Sequence, residues 1–422
     1  MEFENVMKVL IVGGSGREHA LAWKIAQSPL VSELYVTPGN PGIAQVATCL
    51  EGDPFTLAKS IGADFVVVGP EAPLAAGLVN RLNSMGIAAF GPNKAAAQLE
   101  ASKDFCKQLL KKYAIPTADF QTFTAAAPAK TYLKAQTKFP LVVKADGLAA
   151  GKGVIIAQNR AEALEAVDAL FAMQSGVAAP KIVVEEFLEG EEVSLIALTD
   201  GENLLPLVPA QDHKRVGEGD AGPNTGGMGC YSPVPALTLD LYNRAVHEIL
   251  QPTLAALRAE GIEYRGALYA GLMLTADGPK VLEYNCRFGD PETQVILPRL
   301  KSDLLPLLLA CAGIGHKLNE WPCEWTTQTA VCVVMASQGY PGDYRKGDPI
   351  SGLDAAHAVG AEVFHAGTKA DGEHIVTSGG RVLGVTALGD DFAFARAECY
   401  RAVAKIHFDG AHFRRDIGWR CL

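Results

Sequence analysis

The sequence lacks an apolar run long enough to cross a bilayer. Its longest charge-free apolar stretch near the middle, Leu304 to Gly315, carries Pro306 and two glycines and falls short of the roughly 20 residues a membrane helix needs. Basic residues are in the minority: 37 Lys+Arg face 47 Asp+Glu, a formal charge of −10, which argues against nucleic acid as a partner. The nine cysteines include no Cys-x-x-Cys pair and no His grouping at zinc-finger spacing, so reduced, mostly structural thiols are expected. The opening Met1-Glu2-Phe3-Glu4 is acidic where a secretory signal is basic, and a cytoplasmic protein is expected. Internal repeats and low-complexity tracts are also missing. What remains is 422 residues, 49% hydrophobic and 20% charged, enough for two to four domains with sizeable cores.

Met7 to Val12 is a continuous apolar run ending in Gly13-Gly14-Ser15-Gly16, followed by a helix-like stretch, Glu18 to Gln27, and a second strand at Glu33 to Val36. Two further buried strands, Phe65 to Val68 and Ile87 to Phe90, end at Gly69-Pro70-Glu71 and Gly91-Pro92-Asn93. Parallel strands covered by helices are implied, with a crevice at the strand ends. A dinucleotide site is disfavoured, because the third glycine position is His19 and no acid closes the second strand at Val36. A helix start after glycines can still take a single phosphate, or the turn is simply tight. From Lys103 the composition changes: a helix at Asp104 to Tyr113, then strands interleaved with glycine loops up to about Arg287, with Leu239 to Glu260 helical. Beyond Trp321-Pro322 short strands alternate with one helix around Phe392 to Ile406.

The chemistry gathers in a few places. Leu141 to Val154 sets Lys144 and Lys152 around the glycines Gly147, Gly151 and Gly153. The loop can close over phosphates, yet it is not a Walker A loop, since Gly153 stands where Ser or Thr would take magnesium. Lys144 ends an apolar strand, where an ammonium is costly unless it meets an anion. Ile182 to Ser194 is a strand, a bend and a strand with five carboxylates in eight residues. It is either a solvated acidic turn or a place where a carboxylate accepts from ribose hydroxyls. Leu272 to Arg287 reads as a hairpin turning at Asp277-Gly278, on which alternation puts Glu283, Asn285 and Arg287 on one face. A carboxylate and an amide oxygen suit a hard divalent cation, and a guanidinium suits the group being transferred. Gln211 to Arg215 and Gly222 to Gly229 look like ligand loops; four glycines in the latter let backbone N–H groups approach an anion. Asp290 and Glu292 hold a substrate ammonium or cap the following helix.

In this order the motifs resemble the phosphoribosylamine–glycine ligase family of the ATP-grasp superfamily over nearly the whole chain. The matching pieces are Gly16 to Ala20, Gly69 to Leu74, Lys144 to Val154, Gln211 to Arg215, Gly222 to Gly229 and Asn285 to Thr293. The resemblance implies an α/β and α+β multidomain fold: a Rossmann-like parallel sheet over 1–102, an ATP-grasp domain over 103–320 with a mobile lid subdomain about 117–190, and a mixed α/β domain over 321–422. It implies that Lys103 and Lys144 contact ATP phosphates, that Gly147, Gly151, Lys152 and Gly153 form the lid loop, and that Glu185, Glu186, Phe187 and Leu188 meet adenine with Glu192 on the ribose. Glu283 and Asn285 would hold Mg2+ or Mn2+. The strand before them, Tyr269 to Met273, carries no acid, which leaves other metal positions to phosphates and water.

Arg287 and Lys144 would neutralise charge on the transferred group. Gly14, Ser15, Gly16 and Glu71 are expected at the phosphoribosyl part, Ser15 standing where the family's turn commonly has glycine. Asp212, His213, Lys214, Asn224, Thr225, Gly226, Gly227, Asp290 and Glu292 are expected to meet substrate. The implied reaction joins glycine to 5-phosphoribosylamine at the expense of ATP through glycyl phosphate, in purine biosynthesis. The expected partners are these three small molecules; a monomer is expected, without nucleic acid or membrane.

Overall fold

The computed structural model describes residues 6–148, 153–175, 177 and 179–421. Near the start of the chain lies a parallel five-stranded sheet in the spatial order Thr48–Cys49, Val31–Pro38, Met7–Gly13, Phe65–Val68, Ala88–Phe90. Val9, Leu10, Ile11 and Phe65 to Val67 have no exposed surface, as strands covered on both faces require. The order reverses at Met7–Gly13, so the crevice of such a sheet opens beyond the ends of this strand and of Phe65–Val68. The helix Gly16–Ile25 starts there.

Two antiparallel four-stranded sheets follow. One runs Leu204–Pro206, Glu191–Thr199, Gly266–Thr275, Gly278–Asn285; the other runs Phe120–Phe123, Ile182–Glu186, Leu141–Ala145, Val154–Ala157. The helix Lys103–Lys112 contacts strands of both sheets. The helical stretch after Leu239 is three consecutive pieces, Leu239–Arg244, a π segment Ala245–Leu250, and Gln251–Ala259. The hairpin turns one residue earlier than its Asp-Gly signal: Thr275 pairs with Gly278 across Ala276-Asp277. Gly278 has φ +122, and a Cβ there would lie 2.2 Å from the Arg244 guanidinium, so glycine serves the positive φ at the end of the turn as well as the packing against Arg244.

The last large sheet does not follow chain order. Its strands are Gln211–Asp212, Gly229–Ser232, Thr329–Ala336, Arg381–Gly389 and Glu362–His365, so two short strands from well before residue 321 complete it. Strand Thr329–Ala336 is buried at every position, and its neighbour Gly229–Ser232 carries the loop that precedes it towards the other domains. No helix among the described residues is long and apolar enough to cross a membrane.

Candidate active site

The ends of these sheets surround one cavity of about 460 Å³. Both Lys144 and Glu283 line it. A second cavity, of about 500 Å³, lies against Arg265 and Lys317, whose charges are already paired with Glu263 and Glu202.

At one end of the first cavity the lysines converge. Lys144 Nζ lies 3.0 Å from Glu185 and Lys107 Nζ lies 2.8 Å from it, all three side chains buried. Lys144 also donates to the Leu282 carbonyl at 3.3 Å. Lys103 donates to the Gly147 carbonyl at 2.9 Å. Burial alone would lower Lys144; the Glu185 and Glu283 carboxylates outweigh it and hold its pKa above the ordinary lysine value. Burial lowers Lys103, with Glu283 pulling the other way. Burial pushes Glu283 up, but Lys214, Lys144 and Lys103 overcome it and hold its carboxyl below the ordinary value. An ionised carboxylate beside three ammonium groups is suited to a divalent cation brought in with phosphates.

Strict alternation along this strand fails at one place. Gly271 pairs with Glu283 while Leu272 pairs with Val281, which leaves Leu282 as the extra residue of a bulge. Leu282 therefore lines the cavity together with Glu283, and its carbonyl turns to Lys144. Beyond the bulge both Tyr284 and Asn285 line the cavity as well, Tyr284 with its hydroxyl 2.6 Å from that of Thr253. Arg287 draws the N-terminal sheet to this hairpin. It donates to Asn285 Oδ1 at 3.0 Å and lies 3.3 Å from each of Glu71 and Glu100. Burial opposes its charge, but Glu100 and Glu71 hold its pKa above the usual arginine value.

Further along, Lys214 lies 3.4 Å from Asp212 and 3.2 Å from Glu192. Glu292 accepts from Tyr269 at 2.6 Å and from Ser194 at 3.0 Å. Asp290 accepts from Gln294 at 2.7 Å and lies 3.3 Å from Arg381. Arg381 Nη1 also donates to the carbonyls of Gly226 and Asp290, both at 2.7 Å.

Of the residues singled out in the sequence, the cavity brings together Ser15, Glu71, Lys103, Lys144, Gly147, Gly153 and Glu185 with Asp212, Lys214, Thr225, Gly226, Glu283, Asn285, Arg287, Asp290 and Glu292. Gly151 and Lys152 lie outside the described residues. Gly14, Gly16, Glu186, Phe187, Leu188, Glu192, His213, Asn224 and Gly227 are not among those that enclose it. His213 is the clearest correction: its ring is buried behind the loop, where Nε2 accepts the Gly418 N–H at 2.9 Å. Asn224 is exposed on a two-stranded ribbon opposite Arg215. Glu186 spends a carboxylate oxygen on the Asp119 N–H at 3.0 Å. At the first turn, both the N–H and the hydroxyl of Ser15 donate to Glu18, at 2.9 and 2.7 Å. The protein's own carboxylate thus takes the two Ser15 donors of the turn expected to meet a phosphate. Gly13 and Gly69 make room for it, since a Cβ on either would fall within 2.5 Å of the Glu18 side chain.

The sequence reading missed Arg17, Glu100, Lys107, Tyr269, Tyr340 and Arg381, all of which line the cavity. Lys107 follows Lys103 by one helical turn, a spacing that could have found it. Tyr340 and Arg381 come from the last sheet's part of the chain and carry no local motif.

Comparison with known proteins places this geometry. The central region matches an ATP-grasp domain, and ATP-grasp enzymes use ATP with divalent cations. A biotin carboxylase from Campylobacter jejuni shares the fold, with a TM-score of 0.74 at 13% identity over 97% of this chain and 93% of the other. More specifically, residues 7–100, 101–293 and 330–420 match the N, ATP-grasp (A) and C domains of phosphoribosylglycinamide synthetase. The phosphoribosylamine–glycine ligase of Agrobacterium fabrum is 52% identical over 422 residues, 99% of each chain. The crystal structure of the Thermotoga maritima phosphoribosylamine–glycine ligase superposes with a TM-score of 0.87 at 36% identity, covering 97% of this chain and 100% of that one. The chain belongs to the phosphoribosylglycinamide synthetase family. It is an ATP-dependent ligase of purine biosynthesis, with the mixed α/β multidomain fold expected of it.

Proposed function

We propose that the chain joins glycine to 5-phosphoribosylamine, giving glycinamide ribonucleotide, ADP and phosphate. The observation that carries this reading is the single cavity in which Lys103, Lys144, Glu283, Asn285 and Arg287 meet residues of the parallel sheet and of the last sheet. A carboxylate resists attack by an amine, so glycine's oxygen first takes the γ-phosphoryl group and the amine then displaces phosphate. Lys103 and Lys144 hold the phosphates. Arg287, anchored by Glu71 and Glu100, presents a fixed guanidinium to the transferred group. The protein contributes alignment and charge neutralisation, with no covalent nucleophile. Glu283 and Asn285 would hold Mg2+ or Mn2+, which supplies charge neutralisation between phosphate oxygens when bound. Among the described residues no group of three or more acidic, His or Cys side chains gathers for a metal, which suits an ion that keeps phosphate and water ligands. Free thiols at all nine cysteines suit a reducing cytoplasm.

The test is ADP release with MgATP, glycine and phosphoribosylamine, leaving out each in turn and replacing glycine by alanine or serine. Release that needs all components and glycine in particular is expected. Equal rates with another amino acid would move the assignment to a different carboxylate–amine ligase. The contacts of Arg381 give a second expectation. Arg381→Met should raise KM for glycine or the amine roughly tenfold, the scale of a lost charged hydrogen bond, because Gly226 and Asp290 lose their tether. KM for ATP should stay unchanged. Steady-state kinetics with each substrate varied in turn checks this, and a rise confined to ATP would refute it.

A further inference from the structure

The amine step releases a proton, and the reaction proposed above does not by itself say what takes it. Nearly every carboxylate around the cavity is already engaged. Glu71 and Glu100 pair with Arg287, and Glu100 also accepts the Cys286 N–H at 2.7 Å. Glu185 is shared by two lysines, Asp290 is tied to Arg381 and Gln294, and Glu292 accepts from Tyr269 and Ser194. Glu283 is held ionised by the lysines around it, which makes it a weak base.

Among the described residues, Asp212 has only Lys214 as a side-chain partner. Its side chain is 5% exposed, with Oδ2 3.4 Å from Lys214 and no hydrogen bond to Oδ1 among the described residues, and it lines the cavity. Its backbone is fixed in the ladder with Cys230. The Gly226-Gly227 turn passes close by: a Cβ on Gly227 would lie 3.4 Å from Oδ2 and 2.5 Å from Pro291. Lys214 interacts with both Asp212 and Glu283, so this carboxylate stands next to the cation and phosphate end.

We propose that Asp212 is the base for the amine step, a role that rests on the reaction proposed above. The amine nitrogen adds to the carbonyl carbon of glycyl phosphate, and its N–H proton passes to Asp212. The carbon–oxygen bond to phosphate then breaks, phosphate leaving with the electron pair. The neutral amide remains, and Asp212 returns its proton to water after product leaves. The groups facing Asp212 are Lys214, Glu192, Glu292, Tyr269 and the Cys230 thiol. Burial, with Glu292 and Glu192 adding to it and Lys214 opposing, pushes the Asp212 carboxyl up to about 7, where a general base is effective.

Hydroxylamine separates the two half-reactions, because it captures an acyl phosphate without help from a protein base. Asp212→Asn should lower ADP release with phosphoribosylamine at pH 8 by about 10²-fold or more. Glycine- and hydroxylamine-dependent ADP release should fall at least about tenfold less than ADP release with phosphoribosylamine. In wild type, the amine step should lose rate as pH falls through about 7, and the asparagine variant should lack that limb. Asp212→Glu should recover at least about tenfold over asparagine, which separates a missing base from a damaged fold. Parallel loss of both activities with a raised KM for glycine would make Asp212 a binding group instead, and wild-type turnover in the variant would also overturn the proposal. A wild-type protein without glycine-dependent ADP release would fail the functional reading itself.

Discussion

Glu283→Ala is expected to lower ligase turnover by roughly 10³-fold, the scale of losing a charge contact made to the reacting group, while the protein unfolds within a few degrees of wild type. The two halves of this expectation have separate causes. Glu283 is only partly buried and its carboxylate points into the cavity, so its removal leaves no packing defect. Its ionised state is held by Lys214, Lys144 and Lys103, and without it these ammonium groups face the phosphates with one carboxylate fewer to offset them. ATP binding should therefore persist or strengthen as turnover collapses. Glu283→Gln, which keeps the shape and a carbonyl oxygen, should stay severely impaired, because the cation contact proposed for Glu283 depends on its charge. Steady-state ADP release over a magnesium titration, beside equilibrium ATP binding and thermal unfolding, separates these effects. Wild-type turnover of the alanine variant at limiting magnesium would remove Glu283 from the cation site.

Much of this site was legible because its residues sit where local rules apply. Gly13 and Gly69 end buried parallel strands, and strand alternation put Glu283 and Asn285 on one face. Other parts were illegible for stated reasons. The bulge that turns Leu282 into the cavity depends on the pairing partner, with Gly271 opposite Glu283 and Leu272 opposite Val281, and a single strand's sequence does not carry its register. Arg381 and Tyr340 reach the site through the last sheet, whose strands Gln211–Asp212 and Gly229–Ser232 are borrowed from far upstream. The Ser15-x-x-Glu18 spacing is that of a capping box, a signal the sequence reading did not use, and that local bond takes the turn's Ser15 donors. His213 sits in a motif full of ligand-type residues, yet its ring is buried and its Nε2 accepts the Gly418 N–H.

The largest stability effect should come from Glu185→Ala. Apolar strand positions surround Lys144, and its ammonium is tolerated there because Glu185 lies 3.0 Å away; the same carboxylate holds Lys107 at 2.8 Å. Without Glu185, two buried ammonium groups remain with no common anion, a change that costs about 3–5 kcal/mol where a buried pair is broken from one side. For a chain of 422 residues a melting temperature lower by roughly 3–6 °C follows from that range. Glu185→Gln should cost less, since it still accepts a hydrogen bond from one lysine. Adding Lys107→Met to Glu185→Ala should restore part of the loss by removing one stranded charge. The pH dependence has a definite sign. Burial already lowers Lys107 against the pull of Glu185, and loss of the carboxylate drops it further, so the folded variant binds fewer protons than the unfolded chain as pH rises. Stability then increases with pH wherever that holds, and the gap to wild type should narrow between pH 7 and pH 9. Thermal melts of the single and double variants across that interval test it. A gap that widens, or a double variant no more stable than Glu185→Ala, would show that Glu185 does not carry the two lysines.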